Sequence, residues 1–271
     1  MLIDTHAHLN FSAFKDDADK VVKRSLENDV WLINAGAQYT SSKRAVEIAE
    51  RYDNGVYAAV GLHPIHGQDG SKSIRSFPPS LLRSKSSAFD YEEYKNLAQS
   101  KKVVAIGEIG LDYKQEYVSF KEKQKEVFLQ QLDLAKELAL PVIFHCRMAH
   151  NDLIEILSRY SLTGVMHCFT GTWQEAEKYL KMGLYLGFNG IIFKFNVDEV
   201  IRRTPLDKIL IETDCPYLTP LPAETLAKAG PLRNEPIYVK YVAERIAKIK
   251  NLDYEEITEI TTQNAKKLFK I

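Results

Sequence analysis

Eight short runs rich in apolar and β-branched residues recur along the chain, and helical patterns lie between most of them. The runs are Leu2–His6, Trp31–Ala35, Val56–Gly61, Val103–Glu108, Pro141–Cys146, Gly164–Cys168, Leu184–Phe188 and Lys208–Thr213. Strands that alternate with helices build βα units around a parallel sheet. Ala45, Ile48, Ala49 and Tyr52 share one helical face, and Phe128, Leu132, Ala135 and Ala139 share another. The second of these helices opens with Ser119 and Glu122 at capping-box spacing. Two more helices follow the last run, one marked by Val239, Val242, Ile246 and Ile249, the other by Ile257, Ile260 and Leu268, with Asp253 and Glu256 at its start. A chain of 271 residues is the size of one closed α/β barrel. The expected fold is therefore a single (β/α)8 TIM barrel spanning residues 1–271, with an extra C-terminal helix. A doubly wound open sheet would want a glycine-rich phosphate turn after its first strand. This chain has Thr5-His6-Ala7-His8-Leu9-Asn10 there instead. Residues 66–91, rich in Ser, Pro and Gly, break the rhythm and are predicted to form a long loop after the third strand.

Metal-type residues fall at one end of these runs. The first ends in His6-Ala7-His8, the fourth in Glu108, the fifth in His145, the sixth in His167, and the eighth runs into Asp214. Active sites of βα barrels sit at the C-terminal ends of the strands. Side chains at i and i+2 share a strand face, so His6 and His8 point the same way, as do Glu212 and Asp214. Four histidines and two carboxylates at one rim suit two divalent ions, with Mg, Mn and Zn as candidates. Glu108, in the middle strand of the set, is the candidate bridge, because a carboxylate has two oxygens to share. Any one of these residues alone could be a hydrogen-bonded structural side chain; six at one rim argue otherwise. Cys146, Cys168 and Cys215 each follow a proposed ligand directly. Alternation turns Cys146 and Cys168 towards the helices, where they serve as small buried hydrophobes.

Composition narrows the partners. Lys+Arg and Asp+Glu number 36 each, so formal net charge is zero and broad electrostatic capture of nucleic acid or membrane is not expected. No apolar run of membrane-spanning length occurs, and the first residues lack the basic start and apolar stretch of a signal peptide. Three cysteines, an odd number, argue against a disulfide framework. These features predict a cytoplasmic protein, and a monomer is expected.

The motifs THAHLN, GLHP, GEIGLDY, FHCR, MHCFTG, ETDCPYLTP and RNEP, in that order from residue 3 to about 236, resemble those of the TatD family of metal-dependent deoxyribonucleases, within the TIM-barrel metal-dependent hydrolases. The resemblance implies one metal held by His6, His8, Glu108 and Asp214, and a second held by Glu108, His145 and His167. It implies phosphodiester hydrolysis, often as an exonuclease working from the 3′ end of DNA. The chain departs from the pattern twice. Met148 stands after Arg147 where an acidic residue is usual, and the 66–91 loop exceeds what a minimal member needs.

Further residues surround this set. His63, in GLHP, is a candidate to contact a substrate phosphate or protonate a leaving group; a loop-capping role beside Pro64 is the alternative. Arg147 lies two past His145 and could hold phosphate bidentately. Glu212 is read as a partner that orients a ligand histidine. Asp112 either braces the same shell or caps a turn. Arg233, beside Asn234 in RNEP, either reaches the pocket or anchors its loop. Lys72, Arg75, Phe77, Arg83 and Lys85 give the long loop a basic, aromatic character suited to a single strand. A solvated Ser-rich loop is the plainer reading. His66 and His150 carry no assignment.

The leading expectation is a two-metal phosphodiesterase acting on single-stranded DNA or 3′ ends, with Asp214 accepting a proton from the attacking water. The same cage would also serve hydrolysis of a carboxylic or aminoacyl ester. A scaffold that has lost its chemistry should lack ligands, and none is missing here.

Overall fold

The computed structural model describes residues 1–66, 89–220 and 233–271. Lys72, Arg75, Phe77, Arg83 and Lys85, and most of the predicted long loop, lie outside the described residues. The two ends of that loop that are described already have structure: Pro64–His66 form a 3-10 turn and a helix begins at Tyr91.

The eight runs fold as β1 (Leu2–Ala7), β2 (Val30–Ala35), β3 (Val56–Val60), β4 (Val103–Asp112), β5 (Val142–Arg147), β6 (Gly164–Met166), β7 (Tyr185–Phe188) and β8 (Ile209–Ile211). They form one parallel sheet in sequence order. Its two edges meet. The Asp214 amide donates to the His6 carbonyl (2.8 Å), the His8 amide donates to the Cys215 carbonyl (2.9 Å), and Ala7 bridges Cys215 in parallel. The barrel thus closes through the same residues that carry the predicted metal ligands.

Around it lie α1 (Ala18–Glu27), α2 (Tyr39–Ala49), α3 (Tyr91–Leu97), α4 (Lys121–Leu138), α5 (His150–Leu157), α6 (Trp173–Lys181), α7 (Asp198–Arg203), α8 (Val239–Lys250) and α9 (Tyr254–Phe269). The fold is a (β/α)8 barrel with an extra C-terminal helix. Inside the barrel one apolar layer takes a side chain from every strand: Ile3, Ile33, Ala59, Ala105, Ile143, Val165, Tyr185 and Leu210. Ala265, Leu268 and Phe269 of α9 pack onto that layer. This helix is pinned at the N-terminal ends of the strands, where Thr262 donates to the Met1 carbonyl and Asn264 to those of Leu206 and Ile209. The N-terminal mouth is therefore plugged with apolar side chains, and polar chemistry is left to the other end. Among the described residues no helix is long and apolar enough to cross a membrane.

Two local expectations are corrected. The capping box at Ser119 and Glu122 does not form. Val118–Phe120 make a 3-10 turn, α4 starts at Lys121, and its first turn has no side-chain cap. A capping box forms instead at α6, between Thr172 and Glu175. Strand boundaries also move: β4 continues four residues past Glu108, while β6 and β8 stop short of His167 and Asp214.

Candidate metal centre

All six predicted ligands converge at the C-terminal mouth. His6 and His8 project together from the end of β1, with their Nε2 atoms 3.0 Å apart. The His8 Nδ1 meets the Ala35 carbonyl at 2.9 Å. A carbonyl only accepts, so Nδ1 carries the proton and Nε2 turns its lone pair into the site. Asp214 Oδ1 lies 3.2 Å from His8 Nε2 and 3.8 Å from His6 Nε2. His6 is fully buried and its ring stacks on that of His167, centroids 3.6 Å apart.

Glu108 stands between two groups of imidazoles, one at each carboxylate oxygen. Its Oε2 is 3.4 Å from His6 Nε2 and 3.9 Å from His8 Nε2. Its Oε1 is 2.7 Å from His145 Nδ1, 3.4 Å from His63 Nε2 and 3.7 Å from His167 Nε2. Among the described residues, donor atoms compact enough to hold an ion occur in three sets: His6, His8 and Asp214; His63, Glu108 and His145; and His6, His167 and Glu212. The first corresponds to the expected first site without its bridging glutamate. The other two divide the expected second site, bringing in His63 and Glu212.

Hydrogen bonding separates His63 from the rest. Its Nδ1 accepts from the Ile65 backbone N–H at 3.3 Å. A nitrogen that accepts has no proton, so the neutral ring carries its proton on Nε2. That nitrogen then donates and cannot ligate. His145 is the opposite case. Asp112 Oδ2 meets its Nε2 at 3.2 Å, leaving Nδ1 to face Glu108. Asp112 also accepts the Lys114 amide at 2.9 Å, so it both braces His145 and caps the turn.

Glu212 is completely buried. Its Oε1 accepts from the Cys168 amide (2.7 Å) and from Asn189 Nδ2 (3.1 Å), and lies 2.7 Å from His167 Nδ1 without hydrogen-bond alignment. Its Oε2 has no hydrogen-bond partner. Room for that carboxylate exists only because residue 187 is glycine: a Cβ there would fall 2.7 Å from Oε2.

The electrostatics follow from crowding charges in a dry mouth. Burial alone would raise Glu108, but the charges of His63, His167 and His6, with the His145 hydrogen bond, hold it well below the usual carboxylate range. Burial would likewise raise Asp214; the His8 hydrogen bond and the neighbouring imidazoles lower it. Burial would lower His145, but hydrogen bonds to Asp112 and Glu108 prevail and bring it to about 9. His167 is similarly depressed by burial and then raised, by the charges of Glu212 and Glu108, to about 10. His6 and His63 are lowered, chiefly by burial. Two imidazoles thus hold protons against the carboxylates, in the place that divalent cations of the same sign would fill. The donor set, imidazole with carboxylate and an unpartnered buried His6 Nδ1, fits such ions.

The remaining predicted residues divide. Arg147 ends β5 exposed, with no ion pair among the described residues. Arg233 does not reach the mouth. Its guanidinium is bidentate on Asp17 (2.9 and 2.6 Å), donates to the Ala13 carbonyl and Glu235, and stacks over Phe14. It anchors its loop to the start of α1, because a guanidinium so engaged has no fork left for phosphate. The Cys146 thiol faces His150 of α5 (3.3 Å), on the helix side as alternation predicts.

Several positioning residues escape a reading of motifs alone. Gln131 clamps Leu62, accepting its N–H at 2.7 Å and donating to its carbonyl at 3.0 Å, which fixes the backbone beside His63. Gln124 clamps Asp112 the same way, at 2.8 Å on both sides. Both are buried on α4, seven residues apart, and that spacing on one helical face was the available signal. Asp4 is buried and accepts from the Thr213 amide (2.8 Å) and hydroxyl (2.5 Å), and from the His6 amide (3.2 Å). An acid inside an apolar strand had to find such partners.

A family profile for TatD related DNase matches residues 3–270. The chain is 42% identical to the uncharacterized metal-dependent hydrolase YabD of Bacillus subtilis, over all of both chains. It is 33% identical to the 3′-5′ ssDNA/RNA exonuclease TatD of Erwinia tasmaniensis, again over all of both. Among solved structures it is similar to YJJV, a TatD homolog from Escherichia coli K12, with TM-score 0.83, 29% identity, and 100% of this chain and 98% of that one covered.

Proposed function

The chain belongs to the TatD family of metal-dependent hydrolases acting on ester bonds, and from that premise we propose that it is a two-metal exonuclease that shortens single-stranded DNA from the 3′ end. The observation that carries this reading is the division of Glu108. One oxygen faces His6 and His8, the other faces His145, His63 and His167, so the carboxylate is divided between two groups of imidazoles. His6, His8, Glu108 and Asp214 would hold the first ion; Glu108, His145 and His167 would hold the second, with Mg, Mn or Zn as the candidates. When bound, such a pair polarises phosphate oxygens and lowers the pKa of water.

The chain's own groups supply the rest. Asp214 is held anionic and its Oδ1 lies at the mouth, so it accepts the proton of the attacking water. His63 presents Nε2–H and donates to the phosphate or to the departing oxygen. Arg147, exposed at the end of β5 and without an ion pair among the described residues, would hold a further phosphate oxygen. Asp112 orients His145 through its Nε2, Glu212 sets its carboxylate beside His167 Nδ1, and the apolar plug keeps water from entering behind the site. The 3′ polarity and the single-strand substrate are supported by the printed activity of the Erwinia relative.

The test is hydrolysis of single strands labelled at the 5′ or the 3′ end, with a carboxylic ester alongside, after reconstitution with Mn²⁺ or Mg²⁺. A 5′-labelled strand should shorten stepwise and a 3′-labelled one should release label as mononucleotide, with chelator stopping both. Release of label from the 5′ end first would reverse the polarity. Turnover of the ester alone would move the substrate class while keeping the cage.

A further inference from the structure

We propose that residues 190–196 after β7 and 214–218 after β8 form an aromatic seat for nucleobases, in which Phe193, Phe195 and Tyr217 stack on bases while Lys194 meets the backbone. The proposal rests on the reading above that the substrate is a single-stranded nucleic acid, and adds which residues grip it away from the scissile bond.

The first argument is where apolar surface is exposed. Among the described residues the large exposed hydrophobic side chains are Val118, Leu129, Met148, Phe193, Phe195 and Tyr217. All but Leu129 follow the C-terminal end of a strand. A fold that buries its other large side chains as thoroughly as this one leaves apolar surface at one face where something else covers it. Among the described residues the plugged N-terminal mouth shows no such exposed side chain.

The second is chemistry. Residues 193–196 read Phe-Lys-Phe-Asn and all four are exposed; Phe195 is 60% exposed. The Lys194 side chain makes no ion pair among the described residues. An aromatic–cation–aromatic run next to a phosphate site offers faces for bases and a charge for the backbone, the combination that binds single strands.

The third is continuity with the metal centre. A Cβ at Gly190 would fall 1.8 Å from the Leu218 carbonyl oxygen, so the turn Gly190–Phe193 lies directly against the segment that carries Tyr217. The Tyr217 amide in turn donates to the Asp214 carbonyl at 2.9 Å. The path from Phe195 to the proposed water-activating carboxylate is thus one continuous lip. Bases in this seat belong to nucleotides adjoining the one being released.

The experiment compares a fluorescent single-stranded oligonucleotide with an abasic strand of equal length and charge. Binding is measured in chelator, so that no turnover intervenes, for the wild type, Phe193→Ala, Phe195→Ala and Phe195→Trp. The wild type should prefer the base-bearing strand. Each Ala variant should lose that preference by about 5- to 150-fold, the value of one stacked base, and Phe195→Trp should restore it. Unchanged preference in both Ala variants, or no binding of single strand by the wild type, overturns the seat. So does self-association of the wild type that the Ala variants abolish without any base dependence, which would make the patch an interface between copies. Hydrolysis by metal-loaded wild type is read separately. Base-dependent binding with no hydrolysis keeps the seat and fails the exonuclease; hydrolysis with indifferent Ala variants does the reverse.

Discussion

The Ile65 backbone N–H donates to His63 Nδ1 across 3.3 Å, and this decides which proton the ring has to give. Proximity alone groups His63 with Glu108 and His145 as a possible metal site. The tautomer removes it from the ligands, because its Nε2 is the protonated nitrogen. His63→Ala should therefore leave metal stoichiometry intact while turnover on single-stranded DNA falls by roughly 10²–10⁴, the usual weight of acid–base assistance. His145→Ala should lose bound metal. If both variants lose one equivalent of metal by elemental analysis, His63 is a ligand after all.

Asp214 and Glu108 are both carboxylates in the same mouth, yet their substitutions should differ. Asp214→Asn keeps an oxygen near His8 but cannot take the proton of water. Metal should remain bound, more weakly held than in the wild type, while kcat drops by about 10²–10⁴. Glu108→Gln offers one oxygen to two groups of ligands and should lose metal and activity together. The readouts are metal content and kcat at saturating Mn²⁺. Near-wild-type kcat in Asp214→Asn with full metal would move the proton acceptor elsewhere.

That the six candidate ligands would meet at one rim was legible because strand alternation and the C-terminal end of a βα barrel both act locally: His6 and His8 sit two apart, and each remaining candidate lies at or next to the end of a run. Strand ends were less legible. β8 stops at Ile211 because Thr213 and Asp214 turn their amides to β1, to Asp4 and His6, more than 200 residues away. The two readings of Arg233, pocket or loop anchor, could not be separated for the same reason. Its neighbours in sequence say nothing of Asp17, which takes both arms of its guanidinium. Gln124 and Gln131 are polar residues that a helix presents to solvent as readily as to a buried clamp. Their role appears only once α4 lies across the ends of β3 and β4, where unpaired backbone groups of Leu62 and Asp112 need partners.

Gly187 should be intolerant of even one methyl group. A Cβ would meet Glu212 Oε2 at 2.7 Å, and Glu212 is fixed by the Cys168 amide and Asn189. Gly187→Ala should destabilise the fold by about 1–3 kcal/mol, the range for overpacking a tight interior. Because the displaced carboxylate lies beside His167, the second equivalent of metal should weaken more than the first. A denaturation midpoint and a metal titration equal to wild type would show that Glu212 moves aside without consequence.

Metal binding should expel protons. In the protein without metal, His145 and His167 titrate near 9 and 10, so both are imidazolium at neutral pH. Each must become neutral to ligate. Titration calorimetry at pH 7.5 in buffers of different ionisation enthalpy should therefore report release of about two protons per fully loaded chain. Affinity should strengthen as pH rises from 6 to 9. The same shifts set a stability trend for the metal-free chain. A folded-state pKa above the unfolded value of about 6.5 stabilises the fold fully below that value, and the gain is lost as pH climbs through 9 to 10. The metal-free protein should consequently lose stability across that window, while the loaded protein, whose imidazoles are already neutral, should not follow it. Parallel melting curves from pH 6 to 10, with and without Mn²⁺, read this directly. Proton release near zero, together with identical pH trends for both forms, would mean that the two histidines are neutral before metal arrives.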